Sequence, residues 1–167
     1  IMEDGARIVQ FVRSKAKEWN IDPERIALTG KSAGANMSLW LAYQDDLADP
    51  QSKDPVKRQS SRICCVVGYG AQTSNNPFFI LENIGGDKRV FPAFPKIFGQ
   101  KTMAEFKKPE IQKMLREYSA INHVSKGDPP VFLSYKKAPP EGLYPENASI
   151  KDSIHSAKFG LLLKEKT

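Results

Sequence analysis

The chain has 167 residues, 40% hydrophobic, 26% charged and 10% aromatic, a mix that suits one globular domain and excludes a disordered chain. No apolar run approaches the ~20 residues of a membrane span, and no period of ~20–50 residues marks a repeat array. Lys and Arg (25) exceed Asp and Glu (19) for a net charge of +6, but the basic residues are scattered pairs such as Lys57-Arg58 and Lys107-Lys108. That pattern reads as a solvated surface and excludes a nucleic-acid stripe.

Residues 3–19 place Ile8, Phe11, Val12, Ala16 and Trp19 at helical spacing, predicting an amphipathic helix with that stripe on the core. Asn20-Ile21-Asp22-Pro23 ends it, because the residue before a proline avoids the helical region. Ile26-Ala27-Leu28-Thr29 reads as a buried strand, Gly30-Lys31-Ser32-Ala33-Gly34 as a turn, and 33–43 as a second helix. Residues 45–62 are a polar connection.

Ile63-Cys64-Cys65-Val66-Val67 is apolar on both faces, as a central parallel strand is, and Gly68 and Gly70 close it. Its two cysteines are expected reduced and buried; two adjacent thiols form neither a disulfide framework nor a metal site. Residues 71–108 look irregular, with Phe78, Phe79, Phe91, Phe94 and Phe98 covering the core edge or a pocket mouth, the core edge being preferred. Pro109 opens a helix with Ile111, Met114, Leu115 and Tyr118 on one face. Val131-Phe132-Leu133-Ser134-Tyr135 is the third strand, and a last helix starts near Ile154. Helices alternating with strands predict an α/β fold with a mostly parallel sheet and right-handed crossovers.

Strand, Gly30-Lys31-Ser32-Ala33-Gly34, helix has the form of the nucleophile elbow G-x-S-x-G. A serine on so tight a turn lifts its hydroxyl above the sheet edge. Gly30 and Gly34 are read as elbow glycines, where a β-carbon would strike the returning backbone. The following helix N-terminus offers free N–H groups to a developing oxyanion. Gly30-Lys31-Ser32 also ends the phosphate-loop pattern G-x-x-x-x-G-K-[ST]. That loop, however, needs a glycine where Arg25 stands, and it would consume the strand.

The stretch from Asp22 to Ala35, with Asn122-His123-Val124 and Asp128-Pro129-Pro130-Val131-Phe132-Leu133, resembles α/β-hydrolase esterases and lipases. The likeness is to carboxylesterases near hormone-sensitive lipase and to feruloyl and acetyl-xylan esterases. It implies a three-layer hydrolase fold and a serine hydrolase that acts on small carboxylic esters with a Ser-acid-His triad and no cofactor. Ser32 carries over as nucleophile and the Ala33 N–H as oxyanion donor. Glu141 stands near the slot of the acid, in Glu141-Gly142-Leu143-Tyr144-Pro145; it is read as that acid or as an exposed loop residue.

The resemblance implies a histidine beyond one further strand. His123 precedes the third strand, out of chain order. His155 is in order; it reads as a residue of the helix before that strand, with the base as the alternative. Neither is expected within reach of Ser32. The sequence is therefore read as a single hydrolase-like domain over 1–167 that lacks the family's N-terminal strands and its last strand. Its open sheet edges are suited to self-association. A non-catalytic hydrolase-like binding module, or a fragment without its histidine, is the alternative.

Overall fold

The computed structural model describes residues 2–86, 99–100 and 102–167. Strands β1 (Ala27–Lys31), β2 (Cys65–Tyr69) and β3 (Val131–Ser134) form one parallel sheet in the order β1-β2-β3. Ala27 stands opposite Cys65, and Val66 opposite Val131. Parallel neighbours require crossovers. Helix α3 (Ala33–Tyr43) joins β1 to β2; α4 (Pro77–Asn83) and α5 (Pro109–Glu117) lie between β2 and β3. Helices α1 (Met2–Ser14) and α2 (Ala16–Trp19) precede the sheet, and α6 (Ile150–Ile154) and α7 (Lys158–Lys164) follow it.

Strand alternation decides which layers exist. Leu28, Gly30, Val66, Gly68, Val131 and Leu133 share the face packed on α3, and Val66 is 1% exposed. Gly68 is a strand residue, not the end of one. A β-carbon there would come within 2.8 Å of Leu133 Cδ2 and 3.4 Å of the Ala35 β-carbon, so its bareness lets α3 sit close. Helix α3 buries Ala35, Leu39, Trp40, Leu41, Ala42 and Tyr43, as an element that is apolar nearly all round must.

The opposite face carries Cys65, Val67, Tyr69 and Phe132, with Tyr69 47% and Phe132 63% exposed. Two of the three expected layers are thus present among the described residues. The expectation for the cysteines is corrected here: both thiols are free, but Cys64 is exposed and Cys65 half-buried. Cys65 falls on the uncovered face, and Cys64 lies just before the strand.

Helix α1 also faces otherwise than its apolar stripe suggests. Gly5, Ala6, Val9 and Gln10 are buried, while Ile8, Phe11 and Trp19 are exposed. The small residues bring α1 against α3: a β-carbon on Gly5 would meet Met37 Sδ at 2.8 Å. Phe11 packs edge-on against Trp19 instead of the core. The polar side of the helix organises the 45–62 connection. Gln10 Nε2 donates to the Leu47, Lys57 and Gln59 carbonyls, and Arg13 to those of Pro23, Ser60 and Arg62.

Within the segment read as irregular, α4 starts at Asn76. Its side-chain oxygen accepts from the Phe78 and Phe79 N–H groups, and Pro77 takes the first helical position. An Asn-Pro pair ahead of an apolar run is a helix start that the sequence does display. Phe79 packs on the main core, and Phe78 on Phe106, Ile111 and Leu115. Phe91, Phe94 and Phe98 lie outside the described residues.

Candidate active site

Ser32 is the single residue between β1 and α3, with φ 52° and ψ −117°. It belongs to both elements. Its N–H donates to the Tyr69 carbonyl at 2.9 Å, continuing the β1–β2 ladder, and its C=O accepts the Asn36 N–H at 2.9 Å, closing the first helical turn. A non-glycine residue there carries strain of about 1–3 kcal/mol, sustained by both neighbours. Strand β1 runs through Gly30 and Lys31, two residues beyond the expected 26–29; the helix over 33–43 is as expected.

The two glycines differ. A β-carbon on Gly30 would lie 2.4 Å from the Gly34 carbonyl carbon, so Gly30 is required by close approach. A β-carbon on Gly34 would meet nothing within 4 Å. The collision expected at Gly34 is therefore absent, because its Cα faces open space from inside α3.

His155 corrects the sequence reading most. Its Nε2 lies 2.9 Å from Ser32 Oγ, whereas neither histidine was expected within reach. The last helix is interrupted: α6 ends at Ile154, α7 begins at Lys158, and His155 occupies the break. Freed from a continuous helix, the ring turns over the end of β2. The Cα of Gly70 (φ 57°) lies beneath it, where a β-carbon would come within 3.2 Å of His155 Cδ2.

The outer ring nitrogen, Nδ1, lies 3.0 Å from the Lys151 carbonyl oxygen. A carbonyl only accepts, so Nδ1 carries the proton and Nε2 presents its lone pair to the Ser32 hydroxyl. The contact also satisfies one of the carbonyls that α6 leaves open at its C-terminus.

Glu141, read as the acid, is not brought to the imidazole. It lies exposed on the loop between β3 and α6. That loop is tied elsewhere: Gly85 and Tyr144 form a parallel bridge, and Lys158 Nζ donates to the Gly142 carbonyl. Asp152, close in sequence to the histidine, is paired with Lys137 at 2.9 Å. His123 sits apart, with Nε2 2.7 Å from the Glu117 carbonyl oxygen.

A strip from Tyr69 to Thr73 ties these parts together. Tyr69 C=O takes the Ser32 N–H, and the Gly70 N–H donates to the Ser134 carbonyl. Ala71 C=O takes the Tyr135 hydroxyl at 3.0 Å. Gln72 Nε2 donates to the Ile154 carbonyl at 2.8 Å, and Thr73 Oγ1 to that of Phe159 at 3.2 Å. Burial pushes the Tyr135 hydroxyl well above its ordinary value.

Among the described residues no group of three or more His, Cys, Asp or Glu could hold a metal, and no helix is long and apolar enough to cross a membrane. A groove of about 950 Å³ runs beside β3, past Pro130, Val131, Leu133 and Leu163, and contains neither Ser32 nor His155.

The chain as a whole is similar to parts of solved structures. The acetyl ester-xyloside bifunctional hydrolase from Caldicellulosiruptor lactoaceticus is 25% identical with a TM-score of 0.71, over 99% of this chain and 49% of that one. A truncated carbohydrate esterase from gut microbiota is 18% identical with a TM-score of 0.65, over 99% and 54%. The bifunctional GH43-CE protein of Bacteroides eggerthii is 16% identical with a TM-score of 0.65, over 99% and 20%. The chain thus spans about half the length of the first two. The neighbours establish a partial α/β-hydrolase fold. No curated protein matches the chain by sequence. The BD-FAE family model, however, matches residues 1–140, most of the chain, and the chain belongs to the BD-FAE family of esterases.

Proposed function

We propose that this chain carries the acyl-transfer centre of a serine carboxylesterase in which Ser32 and His155 act as a pair. The turn at Ser32 is then a nucleophile elbow. The observation that carries the reading is the 2.9 Å contact between Ser32 Oγ and His155 Nε2 at a strained strand-to-helix turn. Serine alone is a weak nucleophile, and a neutral imidazole within hydrogen-bond reach is what activates it.

His155 takes the Ser32 proton as Oγ bonds to the ester carbonyl carbon. The Ala33 N–H, first of the helical N–H groups without an intrahelical acceptor, faces the oxyanion that develops. The imidazolium returns its proton to the departing alcohol oxygen as the C–O bond breaks, leaving the acyl group on Ser32. Water then gives a proton to His155 as it attacks the acyl carbon. The imidazolium returns that proton to Ser32 Oγ as the bond from Oγ to the acyl carbon breaks, releasing the acid and restoring the serine. The Lys151 carbonyl, aimed at the Nδ1 proton, orients the ring and supports its positive charge, which is the task of the carboxylate in a triad.

The names of the neighbours, an acetyl ester-xyloside hydrolase and a carbohydrate esterase, favour short acyl esters of carbohydrates as substrates. Residues 1–167 are read as a single hydrolase-like domain that lacks the family's N-terminal strands and its last strand.

The test is hydrolysis of p-nitrophenyl acetate together with labelling by a fluorophosphonate. The reading expects both with the wild-type chain, the label on Ser32, and neither with Ser32→Ala. A wild-type chain that is folded yet unlabelled favours the non-catalytic module instead.

A further inference from the structure

We propose that Gln72 is a positioning residue that holds His155 over Ser32; this rests on the Ser32–His155 reading above. The imidazole is poorly secured by its own element. Helix α6 has five residues, too few to be stable in isolation, and His155 lies beyond its end. The Lys151 carbonyl fixes which nitrogen bears the proton, but it belongs to the same short helix and cannot fix where that helix sits. An anchor must come from another element.

Gln72 supplies it. Its side-chain amide donates at 2.8 Å to the Ile154 carbonyl, across 82 residues of sequence. That carbonyl belongs to the peptide unit whose nitrogen is the backbone nitrogen of His155. Planarity of the peptide therefore passes the constraint directly to the His155 Cα. The other end of the constraint is equally well placed. Gln72 lies three residues beyond Tyr69, whose carbonyl holds the Ser32 N–H, and Gly70 lies under the imidazole ring. One short run of backbone thus fixes the nucleophile at one end and the base at the other.

Gln72 is half-buried and lies beyond the end of β2. The next residue, Thr73, makes the corresponding bond to Phe159 in α7 and is fully buried, so the helix after the break has its own anchor. Gln72 serves the break itself.

Two variants separate the roles. Gln72→Met keeps length and loses the donor; Gln72→Asn keeps the donor and draws it back by one methylene. A displacement of the ring near 1 Å costs about 10²-fold in rate. Both variants are expected to lower kcat on p-nitrophenyl acetate by about that factor. KM should change less than about twofold, because Gln72 touches no substrate. Fluorophosphonate labelling should slow in parallel, with little change in Tm. In ¹⁵N-histidine-labelled protein, the His155 Nδ1–H signal should broaden or vanish in both variants, a readout independent of turnover.

Wild-type kcat and an unchanged Nδ1–H signal in Gln72→Met would overturn the proposal, as would a loss of kcat that only follows a loss of folded protein. If Ser32→Ala retains activity, the parent reading fails. If Ser32→Ala is inactive and Gln72→Met is not, only the role of Gln72 fails.

Discussion

Gly70 lies beneath the imidazole of His155, where an added β-carbon would stand 3.2 Å from Cδ2 and 3.5 Å from the ring carbon Cγ. The backbone there also has φ 57°, a conformation that costs a side-chain-bearing residue about 1 kcal/mol. Gly70→Ala is therefore expected to lift the ring from Ser32 and cut kcat/KM by 10-fold or more. Tm should fall by a few degrees at most. Steady-state kinetics and a thermal melt on the same sample check both.

Since His155 Nδ1 is held by the Lys151 carbonyl, carboxylates are expected to matter little to turnover. Glu141→Gln and Asp152→Asn should each keep kcat/KM within about threefold of wild type. His155→Ala should lose on the order of 10⁶-fold, as removal of the histidine base of a serine hydrolase does. A large loss in Glu141→Gln would restore the acid to the loop on which Glu141 sits.

Of the two glycines that flank Ser32, only Gly30 is sterically bound. Gly30→Ala should fail to fold or melt far below wild type, because the clash at 2.4 Å is with backbone. Gly34→Ala should fold with unchanged or higher Tm, gaining up to about 1 kcal/mol of helix propensity. Comparing the two melts tests the assignment without any substrate.

Much of this was legible in residues whose pattern is local. The three strands, the turn at Ser32 and the helix over 33–43 follow from apolar runs and a glycine-flanked serine. The face of α1 is not legible from its pattern, because Gly5 and Ala6 pack by being small and apolar periodicity gives small residues no weight. The position of His155 is hidden in the sequence, because the helix break between Ile154 and Lys158 leaves a weak trace. The polar Ser153 and Ser156 beside the histidine are its only local sign. The carbonyl that orients the ring has no sequence signature at all, since every residue has one. The exposure of Cys64 and Cys65 was equally hidden, because an apolar strand reads the same whether one face is covered or both.

Burial raises Tyr43 and Tyr135 above their ordinary value of 10.0, with Asp128 adding to the effect at Tyr43, which reaches about 12. In the unfolded chain both ionise near the ordinary value, so folding is favoured fully below pH 10.0 and progressively lost above it. Alkaline unfolding is expected to begin there. Tyr135→Phe should flatten that limb while costing about 1 kcal/mol at neutral pH for the lost bond to Ala71. Denaturant melts between neutral pH and about pH 11 measure both effects.

The break between α6 and α7 also sets the order in which the protein fails on warming. The proposed nucleophile rests on a central helix packed against the sheet, while the proposed base rests on one turn of helix held by a few hydrogen bonds. Local opening of so small a unit needs far less free energy than global unfolding. The two halves of the site therefore have separate thermal lives. Catalytic competence should disappear over a range in which circular dichroism still reports an intact sheet, and it should return on cooling without refolding of the core.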